Sequence, residues 1–268
     1  MTQSLAAPQY MSARQPEPGS TPTPDIDIRE IKTFYDSVYH ADAHASQNNE
    51  GHYQRLFRKL GMHKGSQVLD VACGTGGWLK VCHDHGTGVS GVDLSDNAIK
   101  VCRQLMPSGT FHAQPAETLP FEDDTFDLVT CLGSLEHFVD PHNSLREMVR
   151  VAKPDATFVI LVPNKDFLTR KLGLFGGTYQ VDAKEVVRTL DEWQSLFQSA
   201  GLDVAERWRD LHVINRHWIT KGRIYTWPFR LAQSLLLAIW PLKWQYQVYH
   251  RCLAQQQHHR SASSINAH

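Results

Sequence analysis

Short apolar runs alternate through the middle of the chain with stretches whose apolar residues recur every three or four positions. Parallel strands joined by helices that cross back over a sheet produce this pattern. The run QVLDV at 67–71 predicts a first strand, followed by a glycine-rich turn and a helix over 77–85. GVSGVD at 88–93 predicts a second strand, after which Ser95 is placed to cap a helix carrying Ile99, Cys102 and Leu105 on one side. The unit repeats: Phe111-His112-Ala113 reads as a short third strand and FDLVTCL at 126–132 as a fourth. Asp140-Pro141, cap and first helical position, opens a helix with Leu145, Met148 and Val149 inward. Lys153-Pro154-Asp155 is expected to stop that helix before TFVILV at 157–162, a continuous apolar run suited to the buried middle of a parallel sheet. Thr189-Leu190-Asp191-Glu192 has the form of a capping box, and Gly201 sits where its helix should end. A further strand is predicted near 203–209.

The two ends lack this pattern. Residues 1–25 hold five of the thirteen prolines and almost no large apolar side chains, so they cannot offset the entropy of ordering and are expected to form a disordered tail. The polar stretch 254–268 is expected to be a second one. Between them the division is a main domain over 26–210 and an extension over 211–253, expected to be helical. Five of the seven tryptophans lie from Trp208 onward, interleaved with Arg, Lys and His. Its most apolar piece, LAQSLLLAIWPL, is too short to span a bilayer, which takes about 20 apolar residues. Three readings stand open for 218–250. Trp240, Trp244 and Tyr249 could lie among lipid headgroups while Arg223, Arg230 and Lys243 meet anionic lipid, as in a peripheral membrane protein; the alternatives are a helical lid over a small-molecule pocket and a dimer contact.

Composition narrows the class. With 41% hydrophobic and 21% charged residues, the 268-residue chain has the mix of a folded soluble protein. Its 27 Lys plus Arg balance 28 Asp plus Glu, so no basic footprint for nucleic acid is present and no nucleic-acid partner is expected. Five cysteines form an odd count without a CxxC pair, and no export signal precedes the domain, which reads as a cytoplasmic, reducing setting without disulfides. Cys82-His83-Asp84-His85 has a metal-like look but no second ligand pair at a zinc-type spacing, so no metal is expected.

The chemistry concentrates in Val68-Leu69-Asp70-Val71-Ala72-Cys73-Gly74-Thr75-Gly76-Gly77. A strand ends near an acidic residue, glycines allow a sharp turn and close approach of a ligand, and a helix begins, which puts the ligand at the carboxyl edge of the sheet. The Gly-Lys-Ser/Thr of a phosphate-gripping loop is missing, and a G-x-G-x-x-G pattern would need glycine where the chain has Leu79. Asp93, closing the second strand, is placed to accept hydrogen bonds from two ribose hydroxyls. With ribose retained and phosphate disfavoured, the simplest ligand is an adenosine bearing an amino-acid-like group, which points to S-adenosylmethionine.

These residues, followed in order by Ala116-Glu117-x-Leu119-Pro120-Phe121, Phe126-Asp127-Leu128-Val129, Leu135-Glu136-His137 and Lys153-Pro154, resemble the class I S-adenosylmethionine-dependent methyltransferases over about 31–164. Within that class the arrangement is similar to small-molecule and quinone O-methyltransferases. The resemblance implies a doubly wound, mostly parallel, Rossmann-like α/β fold with a seven-stranded sheet and, here, a C-terminal helical extension. It also implies roles. Asp70 and the loop Ala72, Cys73, Gly74, Thr75, Gly76 and Gly77 would hold the methionine amino and carboxylate groups. Asp93 would bind ribose, with Leu94 beside adenine and Ala116 and Glu117 along the adenine edge. Leu132 or Gly133 would face the methionine portion, and Tyr35 and Tyr39 match an aromatic pair that covers the cofactor in relatives. Two positions depart: Pro115 stands where many relatives have Asp, and Asp155 replaces a usual glycine.

The implied activity is methyl transfer to a small organic acceptor, with a hydroxyl oxygen as first choice and nitrogen, carbon or a catalytically silent cofactor-binding partner protein as alternatives. Displacement at a sulfonium depends mainly on holding the acceptor in line. A hydroxyl acceptor also calls for a base, and His137, just beyond the fourth strand, is the candidate; the competing reading is a histidine that fixes its loop. Glu136 is left between facing the site and facing solvent.

Overall fold

The computed structural model describes residues 50–171, 185–211, 220 and 224–255. After α1 (Glu50–Leu60) come β1 (Gln67–Val71), α2 (Gly77–Asp84), β2 (Gly88–Asp93), α3 (Asp96–Leu105), β3 (Thr110–Ala113) and β4 (Phe126–Leu132). Then follow α4 (Pro141–Val151), β5 (Ala152–Pro163), the short α5 (Leu168–Lys171), α6 (Leu190–Ser199), β6 (Leu202–Arg209), α7 (Trp227–Ile239) and β7 (Gln247–Ala254). The strands form one seven-stranded sheet in the order β3-β2-β1-β4-β5-β7-β6. β3, β2, β1, β4 and β5 run parallel, and β7 is antiparallel to both of its neighbours.

Local chemistry starts and stops the helices as the sequence predicts. The Ser95 side chain accepts from Ala98 N at the start of α3, and Asp140 accepts from Asn143 N ahead of Pro141 in α4. Thr189 and Glu192 complete both halves of the capping box on α6, and Gly201 follows its end with φ +92°. Because side chains alternate across a strand, each strand feeds two cores. Leu69, Val129, Cys131, Phe158 and Ile160 pack under Leu145 and Met148 of α4 and Trp193 and Phe197 of α6. Val68, Leu128, Val159, Leu161 and Tyr249 pack under Leu56 and Phe57 of α1, Trp78 and Leu79 of α2 and Ile99 of α3.

Two expectations are corrected. Lys153-Pro154-Asp155 does not separate helix from strand: α4 passes directly into β5 at Ala152. Ala152 pairs with Phe126, and the register then shifts before Thr157 pairs with Leu128, so these three residues are absorbed in an irregular stretch of strand. The extension over 211–253 is not wholly helical. α7 lies within it, but 247–254 is an interior strand, hydrogen-bonded to β5 on one side and β6 on the other. Its apolar positions are interrupted by His250 and Arg251, which hides the strand pattern. His250 is nonetheless fully buried, with Nδ1 on Val248 O at 3.1 Å, and burial lowers its pKa to about 4, so it sits in the sheet as a neutral ring. Ala254 closes β7 and Gln255 N donates to Gly201 O, so the described chain continues past the start predicted for the second tail. The proposed tail 1–25, Tyr35 and Tyr39 lie outside the described residues, as do Trp218, Arg223 and the rest of the C-terminal tail from 256.

Candidate functional site

The strand order reverses between β1 and β4, and at such a switch point the loops leaving the two strands diverge and open a crevice at the carboxyl edge. Asp70 is the fourth residue of β1 and points into that edge from a buried position. Thr130 of β4, directly across in the register, donates its hydroxyl to Asp70 Oδ1 at 2.5 Å. Burial, with Asp93 nearby adding, raises the Asp70 pKa to about 7, against the lowering effect of the Thr130 hydroxyl. A carboxylate held in this way gains from a cation placed beside it.

Between β1 and α2 the backbone turns through positive φ at Ala72 (62°), Gly74 (52°) and Gly76 (77°). Cys73 N donates to Val92 O and Gly76 N to Cys73 O. Asp93 ties this loop to the end of β2: one oxygen accepts from Gly74 N at 2.8 Å and the other from Ser95 N at 2.9 Å. A carboxylate offers about four acceptor positions, of which these amides take two. α2 then begins at Gly77 with no side-chain cap on its first turn, which leaves backbone N–H groups of a helix start directed at the crevice, a natural partner for a carboxylate.

The loop glycines divide their work. A Cβ at Gly76 would lie 2.8 Å from both Cys102 Sγ and Met106 Cε, so the absence of a side chain here allows the end of α3 to pack against the loop. Cys73 is buried, and the Cys102 thiol beside it, together with burial, pushes its thiol pKa well up, so it carries no thiolate. In Cys82-His83-Asp84-His85, Cys82 is buried in the core whereas Asp84 is exposed and bonded to Lys80 Nζ at 2.5 Å, so the run does not converge on one point.

Farther along the edge, Leu94 is half-buried after β2, and Ala116 is buried within the apolar core beside Leu119. The Glu117 carboxylate accepts from Asp140 N at 3.2 Å and its carbonyl from Asn143 Nδ2 at 2.9 Å, which fastens the segment after β3 to the start of α4. Leu132 ends β4 and Gly133 follows with φ +78°. A 3-10 turn, Leu135–His137, comes next, carrying a half-buried His137. Glu136 does not face solvent: it is 4% exposed, and its carboxyl oxygen Oε2 has no hydrogen-bond partner among the described residues. Burial, with Glu185 adding, pushes its carboxyl pKa to about 8.

One group was missed by the sequence. β7 is antiparallel, so its first residues, not its last, lie at the carboxyl edge of the parallel strands. Tyr249 pairs across the sheet with Leu161, which pairs with Leu132, so its ring shares a row with the end of β4. Its hydroxyl lies 2.8 Å from His52 Nε2 of α1, and His52 Nε2 lies 3.7 Å from Asp210 Oδ1 just after β6. No motif announces this cluster, because its three members come from three distant parts of the chain.

The arrangement is that of an α/β domain in which two strand-end carboxylates and an uncapped helix start lie together at the carboxyl edge of the sheet. Comparisons with known proteins agree. The methyltransferase domain family matches residues 69–160. The ubiquinone biosynthesis O-methyltransferase of Hahella chejuensis is 28% identical over 83% of this chain and 99% of its own length. Norajmaline N-methyltransferase of Rauvolfia serpentina is 33% identical over 47% of this chain and 44% of its own; the chain spans about half the length of several such curated relatives. The structure of Burkholderia thailandensis 1,6-didemethyltoxoflavin-N1-methyltransferase with bound 1,6-didemethyltoxoflavin and S-adenosylhomocysteine shares the fold, with a TM-score of 0.61 at 17% identity over 93% of this chain and all of that one. Residues 69–160 thus match a methyltransferase domain, and the chain is similar to class I S-adenosylmethionine-dependent methyltransferases.

Proposed function

We propose that this chain transfers a methyl group from S-adenosylmethionine to an oxygen of a small organic acceptor. The observation that carries the reading is the pairing of two buried carboxylates, Asp70 and Asp93, at neighbouring strand ends around an uncapped helix start. These residues fit the cofactor chemically: Asp70 suits an ammonium group, the first turn of α2 a carboxylate, and Asp93 a ribose diol. When bound, S-adenosylmethionine supplies an electrophilic methyl on a positively charged sulfur.

The protein's part is to bind, orient and keep water out. With the nucleoside held at β2 and the amino-acid end at β1, the acceptor's place is beyond β4, beside Leu132, Gly133 and the turn carrying His137. There it can be held in line at contact distance, which supplies much of the rate. His137 is the proposed base for a hydroxyl acceptor. Methylation of nitrogen is the second reading, supported by the N-methyltransferases among the relatives.

The test is to incubate the purified chain with a small-molecule cell extract and methyl-labelled donor, and to search for labelled products by mass spectrometry. Labelled O-methyl ethers support the proposal, and labelled N-methyl products the second reading. Tight binding of S-adenosylhomocysteine without any labelled product would show a silent binder instead.

A further inference from the structure

α7 is turned inside out. At about 100° per residue, Phe229, Leu231, Leu235, Leu236 and Ile239 share one broad arc, and all five are exposed, Phe229 at 77% and Ile239 at 75%. The opposite side carries Ser234, only 1% exposed and bonded through Oγ to Arg230 O. The same inner side is tied to the sheet by Arg209, whose guanidinium donates to Ala238 O. A helix serving only the fold would bury the apolar arc and expose the serine. The arc carries no polar residue, whereas a protein-binding surface ordinarily includes hydrogen-bonding groups at its rim.

Charge and aromatic placement point the same way. Beyond Asp210 the sequence has no further Asp or Glu, while it holds Arg216, Lys221, Arg223, Arg230, Lys243, Arg251 and Arg260. Trp227 opens α7, and Trp240 and Trp244 follow its end, with Lys243 Nζ 5.4 Å from the Trp244 ring. Amphipathic rings at both ends of an apolar face beside cations form an interfacial anchor. No helix among the described residues is long and apolar enough to cross a membrane, and the 13 residues of α7 span about 20 Å, so the helix would lie in the surface plane. Self-association on this face would oppose cations with cations across a two-fold axis.

We propose that α7 docks the enzyme on an anionic lipid surface, its Phe229–Ile239 arc entering the headgroup boundary and Lys243, beside Trp244 just past the helix end, contributing electrostatic attraction. This inference does not depend on the methyl-transfer reading.

The full chain is mixed with vesicles of phosphatidylcholine alone or with about one-third phosphatidylglycerol, and binding is read by flotation at low and high salt. The expected result is flotation with the anionic vesicles, weakened by salt, at least tenfold less with phosphatidylcholine alone. A Leu235→Asp/Ile239→Asp double variant should lose at least tenfold in vesicle affinity while binding S-adenosylhomocysteine as the parent does, which shows that the domain is folded. Absence of flotation, flotation indifferent to lipid charge, or equal flotation of the double variant would overturn the proposal. So would a dimer in lipid-free buffer that the same substitutions convert to monomer, which would assign the face to a second copy.

Discussion

Thr130→Val isolates the contribution of the Asp70 carboxylate to cofactor binding. Thr130 is fully buried on β4 and gives its hydroxyl to Asp70 Oδ1 at 2.5 Å and to Leu69 O at 3.2 Å. Valine keeps the shape and the strand preference and removes the donor. A hydrogen bond to a charged group is worth about 1.5–3 kcal/mol, so the Asp70 pKa, already raised to about 7 by burial, should climb by about one to two further units. The sign follows from linkage. A ligand ammonium binds the ionised carboxylate, so below the Asp70 pKa binding must expel a proton, and affinity falls by up to about tenfold per pH unit. Titration calorimetry with S-adenosylhomocysteine from pH 6 to 9 should show wild-type affinity rising to about pH 7 and then levelling. In the variant the break moves upward, and affinity at pH 7 drops by about one to two orders of magnitude. An unmoved break, or affinity indifferent to pH in both proteins, would refute the role given to Asp70.

Other predictions follow from the same geometry. The Glu136 carboxyl, with its pKa raised from 4.5 to about 8, binds its proton more tightly folded than unfolded, so it costs stability progressively as pH rises between those values. Glu136→Gln should therefore flatten the loss of melting temperature between pH 5 and about pH 9, by an amount worth several kcal/mol; parallel curves for the two proteins would count against it. Gly76→Ala places a Cβ 2.8 Å from Cys102 Sγ and Met106 Cε at φ +77°, so it should destabilise by about 2 kcal/mol or more in chemical denaturation and weaken S-adenosylhomocysteine binding through the displaced loop. His137→Ala should cut turnover by about 100-fold while leaving S-adenosylhomocysteine affinity within about twofold. Equal loss of both would make His137 a loop anchor.

The half of the sheet that carries Asp70 and Asp93 is the half most legible in the sequence. Gln67–Val71, Gly88–Asp93 and Phe126–Leu132 are largely buried parallel strands, and their mainly apolar, valine- and leucine-containing runs and flanking turns define them locally. The caps at Ser95, Asp140 and Thr189 are equally local, set by side chains three residues from their partners. What escaped depends on tertiary context. Gln247–Ala254 is a strand only because β5 and β6 pair with it, and its buried His250 reads as polar in isolation. The His52–Tyr249–Asp210 cluster follows from that unseen strand. The burial of Glu136 depends on the returning segment whose Val186 N donates to Glu136 O, a contact 50 positions away along the chain. Gly76 adds a constraint that its motif position does not reveal: an added Cβ there would meet Cys102 and Met106.

Calorimetry of the wild-type chain against four compounds measured in parallel, S-adenosylmethionine, S-adenosylhomocysteine, NAD and ATP, bears most directly on the crevice between Asp70 and Asp93. One molecule of either adenosylated amino acid should bind per chain, NAD and ATP should give no saturable heat, and Asp93→Ala should abolish the binding. Saturable binding of NAD or ATP, with none of the sulfur compounds, would contradict the account.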